Sequence, residues 1–400
     1  MKKLHNSHSY LCIAAVYFIM TGFAGCTSEI SQPLPEEIAS LENLAVFPAD
    51  LAPLHEITLT KETSYGDVDD VLLGSWLSAT VDHHGRVFIA DQQNTVIHLY
   101  NPDGSYNRQI GREGDGPGEY RGVGVMRSDE NYFYHYDRMT GRLNQYDINT
   151  FELVDDLVIS VERNDDDAFF KSIQSFHLLE SNIYLIQFGM GFRADRTDID
   201  MSERKVTARR MNAKTGEYFG EEVFSFPANE ALVQFRNDGS MSVMGVPYKR
   251  SSAIHVEEDS VIHGWNEHFL INFYDLEGNH QRAIYYQYPN VPLNRNKVLE
   301  MYEDRDEPWK SMVQNDNMPE TWPAFQTFTV DDEGRIWVKM FTDDYDTSRY
   351  VVLANSGELL AEFTWPRTHT IQQIQNGYLY SMEEDEDGLR RVVKYEIAFS

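Results

Sequence analysis

A short turn-and-strand unit recurs six times between residues 82 and 380, and no other feature of the chain limits its fold as tightly. The first copy is Asp82-His83-His84-Gly85-Arg86-Val87-Phe88-Ile89, a polar turn closed by glycine and followed by an apolar strand with one aromatic residue. Asp332-Glu333-Gly334-Arg335-Ile336-Trp337-Val338 repeats it closely. Weaker copies open at Asp129, Glu180, Glu258 and Gln375 and run into Tyr132-Phe133-Tyr134, Ile183-Tyr184-Leu185, Val261-Ile262-His263 and Tyr378-Leu379-Tyr380. A second set of turns follows, at Asn101-Pro102-Asp103-Gly104, Asp147-Ile148-Asn149-Thr150, Asn212 to Gly216, Asp275-Leu276-Glu277-Gly278 and Asn355-Ser356-Gly357. Asn, Asp and Gly suit such turns because they accept a positive φ or hydrogen-bond their own backbone.

Each unit accommodates four antiparallel strands, the content of one propeller blade. The fold class expected is therefore all-β, a six-bladed β-propeller with a short helical insertion. The sixth unit ends one strand short, because the chain stops at Ser400 just after Arg391 to Ile397. The alternating segment Leu54-His55-Glu56-Ile57-Thr58-Leu59-Thr60 is unclaimed, and as the missing strand it would close the ring and leave no long bare edge. Openings near 82, 129, 180, 258, 332 and 375 make the third and fourth intervals 78 and 74 residues long, so those blades carry insertions. Pro227 to Arg250 reads as a polar loop. Asn294 to Trp322 reads as partly helical, with Val298, Leu299, Tyr302, Trp309, Met312 and Val313 at helical spacing.

At the N-terminus, Lys2 and Lys3 precede an apolar run from Tyr10 to Ala24, shorter than the ~20 residues a membrane-spanning helix needs. That pattern predicts a removed signal segment over 1–25. Phe23-Ala24-Gly25-Cys26 resembles the bacterial lipobox, with Phe where that motif usually has Leu, and the resemblance implies lipidation at Cys26. Thr27 rather than Asp follows, which by the same resemblance favours the outer membrane, on its periplasmic or cell-surface side. Residues 26–53, with Pro33, Pro35, Pro48 and Pro53, are expected to form a flexible linker, and 54–400 the propeller. Cys12 leaves with the signal and Cys26 is acylated, so neither a thiolate nucleophile nor a cysteine zinc site is expected in the body.

The chain carries 64 Asp and Glu against 34 Lys and Arg, a net charge of −30. Such a surface repels phosphate backbones, so nucleic acid is a poor partner. Gly114-Asp115-Gly116-Pro117-Gly118 lacks the Lys-Ser/Thr of a phosphate loop. Glu383 to Gly388 imitates a calcium loop, but Lys394 stands where the bidentate Glu belongs. His83 and His84 are adjacent in a turn and project apart. No Gly-x-Ser-x-Gly or His-Glu-x-x-His motif occurs, and no catalytic residue is assigned.

Asp91-Gln92-Gln93-Asn94 and Ile110 to Tyr120 resemble NHL-type propeller repeats, a match confined to residues 82–121. The whole chain resembles the six-bladed, NHL/TolB-like propeller lipoproteins of Bacteroidetes-like bacteria, which implies architecture more than activity. Two functions are carried forward. The first is a membrane-anchored binding module for a glycan, peptide or partner protein. It would use Arg112, Tyr120, Arg121, Arg138, Arg193, Trp265, Trp309 and Trp322 on the insertion-bearing face, with rings for stacking and guanidiniums for anionic groups. The second is a lactonase-like hydrolase or a lyase, with a divalent cation held at the channel mouth by Asp91, Asp137 and Glu119. No other cofactor is expected. A closed ring needs no partner to cover its edges, so a monomer is expected.

Overall fold

The computed structural model describes residues 33–68, 71–161, 167–179, 182–197 and 200–400. It contains six four-stranded antiparallel blades. In blade 1 the strands run from the channel outward as Leu77–Val81, Val87–Asp91, Val96–Tyr100 and Tyr106–Ile110. Blade 2 has Val125–Ser128, Tyr132–Asp137, Arg142–Asp147 and Leu153–Val158. Blade 3 has Phe170–Leu179, Ile183–Gly191, Lys205–Asn212 and Tyr218–Pro227, and blade 4 has Ser252–Val256, Ser260–Trp265, Leu270–Asp275 and His280–Tyr286. Thr327–Val330, Ile336–Met340, Thr347–Leu353 and Leu359–Pro366 make blade 5. Blade 6 takes Thr370–Gln375, Tyr378–Glu384 and Arg390–Phe399 from the C-terminus and Ile57–Tyr65 from the N-terminus as its outermost strand.

Burial follows position within the blade. Val87–Asp91 is buried along its whole length, because neighbouring blades cover both of its faces, and it reads as a continuous apolar run. The outer strand Tyr106–Ile110 carries Asn107, Arg108 and Gln109 to solvent. Blades meet through apolar clusters, one between each neighbouring pair around the ring. Phe88 of blade 1 stacks on Phe133 of blade 2 at 4.2 Å, and Tyr65, Val81, Tyr100 and Tyr380 fill the joint between blades 6 and 1.

The repeated turn is held by one carboxylate. Asp82 accepts from the His84 and Arg86 backbone N–H groups and pairs with the Arg86 guanidinium at 2.6 Å. Its counterpart in blade 5 is Asp331, one residue earlier than the aspartate that opens the visible repeat. Asp331 accepts from the Glu333 and Arg335 backbone, the Arg335 side chain and Trp337 Nε1.

Ring closure uses the expected strand, which extends to Tyr65 and pairs antiparallel with Arg390–Phe399 from Ile57↔Phe399 to Tyr65↔Val392. An inner seam reinforces it. Gln372 Oε1 accepts from Ala79 N, Gln373 accepts from Val81 N and donates to Val81 O, and Gln375 donates to Asp82 O.

Two expectations need correction. Residues 34–53 are not a flexible linker. Leu44–Phe47 adds a fifth, parallel strand to blade 4 beside His280–Tyr286, with Phe47 stacked on Tyr286 at 5.0 Å, and Leu54 and His55 then bond to Leu359 and Leu360 of blade 5. The apolar Leu-Ala-Val-Phe run drives this docking. Nor is Pro227 to Arg250 a plain loop, since Leu232–Phe235 and Met241–Met244 form a hairpin. That hairpin and two helices, Arg295–Met301 and Trp309–Gln314, share a separate cluster of Leu232, Val246, Tyr248, Val298, Val313 and Trp322. The signal segment, Cys26 and the linker's first residues lie outside the described residues.

Tyr65 is fully buried, donates to Pro102 O at 3.1 Å and packs edge-on against Tyr100. Tyr65→Ala should cost about 3–5 kcal/mol through the cavity left at the closure, measurable by urea unfolding.

Candidate functional site

The innermost strands enclose a central channel of about 1470 Å³. Each enters from the face that carries the second-to-third strand turns and the blade-to-blade connections, here called the upper face, where both insertions also lie. At the upper mouth the lining residues are Trp76, Gln92, Arg121, Arg138 and Met139. At the lower rim they are mostly acids: Asp129, Glu130, Glu257, Glu258 and Asp332.

Only two of the expected site residues reach the channel. Arg121 lines the mouth but is held by both carboxylate oxygens of Asp115. Arg138 lines it with one hydrogen bond, to Gln174 O at 2.6 Å. Tyr120 and Trp322 are corrected: both are core. Tyr120 Oη accepts from Ile97 N and donates to Ile110 O, and Trp322 stacks on Phe341 at 4.6 Å. Trp309 is half-buried in the cluster beneath the insertions, and Trp265 is half-buried at the end of its strand, opposite Ser252. Arg112 pairs with Glu119 and Arg193 with Asp195, outside the channel lining.

The carboxylates expected to hold a divalent cation do not fit one. Asp91 is fully buried and accepts from Gly74, Gln93 and Asn94 backbone N–H groups and from the Asn94 amide. Asp137, at the same place in blade 2, accepts from Arg121 N, Met139 N and Thr140 Oγ1. Each aspartate caps its hairpin and ties it to the strand entering the channel, and these bonds occupy the lone pairs a metal would need. Glu119 accepts from Gly116 N and Arg112. Among the described residues no group of three or more His, Cys, Asp or Glu is arranged to hold a metal ion.

Sequence reasoning missed the exposed apolar side chains at the mouth. Trp76 is 69% exposed and Met139 76%, although both line the channel opening. Trp76 is fixed by its carbonyl, which accepts from Gln92 N at 2.9 Å, and Met139 sits at the tip of the turn capped by Asp137. An exposed Met in a two-strand turn and a Trp just before the first inner strand were the available signals.

Deeper in the channel lie Arg127, His177 and His255. Burial pushes His177 down to about 3 and His255 to about 4, with the Arg127 charge as the second cause for both. Burial alone lowers Arg127. Arg127 donates to Met126 O and to Ser175 Oγ of the next blade.

The chain is a six-bladed β-propeller. Residues 68–241 match the model of the DUF5128 family, described as a 6-bladed β-propeller. No curated protein matches the sequence. Among solved structures, a candidate exported protein from Bacteroides fragilis NCTC 9343 superposes with a TM-score of 0.51 at 11% identity, over 89% of this chain and 100% of that one. A DUF4221 family member from Bacteroides vulgatus ATCC 8482 gives 0.48 at 11% identity, over 86% and 99%. A streptogramin B lyase gives 0.41 at 8%, over 86% and 98%. At such identities the likeness is one of fold.

Two histidines outside the channel weaken the fold in acid. His135 accepts from Gly124 N and is pushed down to about 4 by burial; His263, flat against Phe226 at 3.8 Å and bonded to Ser252 Oγ, is pushed down to about 3. Below pH ~6.5 the unfolded chain takes up protons that these folded imidazoles refuse, so stability falls as pH falls. Each should remove about 1.4 kcal/mol per pH unit between pH ~6 and its folded value, read as a lower urea midpoint at pH 5 than at pH 7.

Proposed function

We propose that the protein is an exported, lipid-anchored binding module that seats a glycan, peptide or partner-protein segment at the upper mouth of its channel. The observation that carries this reading is the pair Trp76 and Met139, large apolar side chains left in water at the opening of a built cavity, beside Arg138 and Arg121. A ring face and a flexible thioether supply apolar contact at little entropic cost, while the Arg138 guanidinium, bonded to Gln174 O and not to a carboxylate, addresses carboxylate or phosphate groups. The rest of the propeller supplies rigidity. Closed inter-blade clusters hold the mouth residues in place without contributing to recognition, the usual division between scaffold and loops.

The metal-hydrolase alternative loses its support, since Asp91 and Asp137 hold backbone rather than facing the channel with free oxygens. For location, the lipobox-like Phe23-Ala24-Gly25-Cys26 supports a membrane anchor and an extracytoplasmic site. No helix among the described residues is long and apolar enough to cross a membrane.

Binding of glycan and cell-wall peptide arrays should be lost or weakened about tenfold in Trp76→Ala and Met139→Ser, with melting temperatures unchanged because both side chains are exposed. Array binding by the wild type that neither substitution alters would place recognition elsewhere. Cys26→Ala should move the protein from the membrane fraction to the soluble extract; continued membrane retention would refute the anchor.

A further inference from the structure

The channel contains one layer of polar side chains to which every blade contributes. Thr80, Arg127, His177, His255, Thr329 and Gln373 each stand one or two residues before the end of their innermost strand, and all line the cavity. Their distribution is lopsided. Blades 2, 3 and 4, which are neighbours, give the arginine and both histidines, and blades 5, 6 and 1 give Thr329, Gln373 and Thr80.

Arg127 is the unexplained member. It is half-buried in the channel wall, and among the described residues no carboxylate lies within ion-pair distance of it; its hydrogen bonds go to a carbonyl and a hydroxyl. This happens in a chain with 64 acidic residues, in which other channel-mouth and turn arginines do find carboxylates. A partly desolvated guanidinium without a counter-charge carries a cost, which falls when an oxyanion accepts two of its N–H groups side by side. His177 and His255 stand close enough to feel its charge; His255 can donate through a ring N–H, and His177, whose Nε2 faces Gln187 Oε1 at 3.4 Å, donates to an anion through its other ring nitrogen once that takes up a proton. Glu257 comes within 3.9 Å of His255 Nε2 and belongs to the acidic lower rim, which repels anions from that end. The upper mouth, with Arg138 and Arg121, does not. Low-dielectric walls concentrate such a field along the channel.

We propose that Arg127, His177 and His255 form an oxyanion-binding site toward the lower end of the channel, which takes the carboxylate or phosphate group of a ligand admitted through the upper mouth. The site rests on the channel-binding reading above and specifies the ligand's charge. The opposite half-layer is neutral: Thr80 and Gln373 bond to each other and Gln373 to Val81 and Gln375, which leaves the Thr329 hydroxyl to meet a sugar hydroxyl, so an acidic sugar touches both halves. A free inorganic oxyanion matches the first half alone.

The test is calorimetric titration of the purified full chain, in low-salt buffer, with inorganic phosphate, with glucuronate and with glucose, for the wild type, Arg127→Gln and Trp76→Ala. The expected result is binding of glucuronate or phosphate but not glucose at one site per chain, weakened about tenfold or more in Arg127→Gln. Arg127→Gln should melt no lower than the wild type in anion-free buffer, because it removes an unpaired charge; this separates lost binding from lost folding. Arg127-dependent glucuronate binding identifies an acidic sugar seated on the layer, and Arg127-dependent phosphate binding alone identifies a free oxyanion. Absence of anion binding by the wild type, or equal affinity in Arg127→Gln, overturns the site. If array ligands still bind and still require Trp76, the mouth reading survives that failure; Arg127-dependent anion binding with no effect of Trp76 on any ligand sinks the mouth reading instead.

Discussion

Everything in this molecule depends on one act of pairing between residues more than 300 positions apart. Ile57–Tyr65 hydrogen-bonds to Arg390–Phe399, and until it does, blade 6 is a three-stranded sheet with a bare edge. The inter-blade clusters need both neighbours present, so the joint holding Tyr65, Tyr100 and Tyr380 exists only in the closed ring. Gln372, Gln373 and Gln375 repeat the closure at the channel wall by bonding to the backbone of blade 1. The ring is thus sealed at its outer rim by main chain and at its inner rim by side-chain amides. The channel geometry is a product of both seals.

The charges of the channel are sorted along its length. Outside, the excess of carboxylates gives the chain a net charge of −30. Inside, the layer at Arg127 is the cationic one, between an acidic lower rim and an upper mouth lined by arginine, tryptophan and methionine. An anionic ligand of the kind proposed would meet a negative surface on approach and its counter-charge only at depth. That arrangement favours discrimination over speed of capture.

Local signals in the sequence predict local structure well. Asp82 and Gly85 mark a turn because the aspartate bonds the backbone two and four residues on and the glycine takes φ of 76°, and both effects act within one short segment. The closing strand was legible by counting strands. Leu44–Phe47 was not, because four apolar residues among prolines and glutamates carry no periodicity until blade 4 offers an edge. Trp322 and Tyr120 show the limit of arguing from residue type, since a ring fit for stacking on a ligand is equally fit for stacking on Phe341 or filling a core. The Arg127 layer is dispersed over six repeats, so no local window contains it. Aligning the repeats on the end of each inner strand brings its members into one column.

The docked N-terminal segment has a mechanical consequence. From Leu44 the chain lies along the outer edge of blade 4, crosses to Leu359 and Leu360 of blade 5, and only then becomes the closing strand of blade 6. A load applied through the N-terminus is therefore borne by buried Ile38, by Asn43 and the short parallel strand at Leu44–Phe47, and then by the two bonds of Leu54 and His55. The closure feels tension only after all of these have given way. The segment works as strain relief, as a cable clamp protects a soldered joint, and it keeps a pull on the N-terminus from reaching the seal directly.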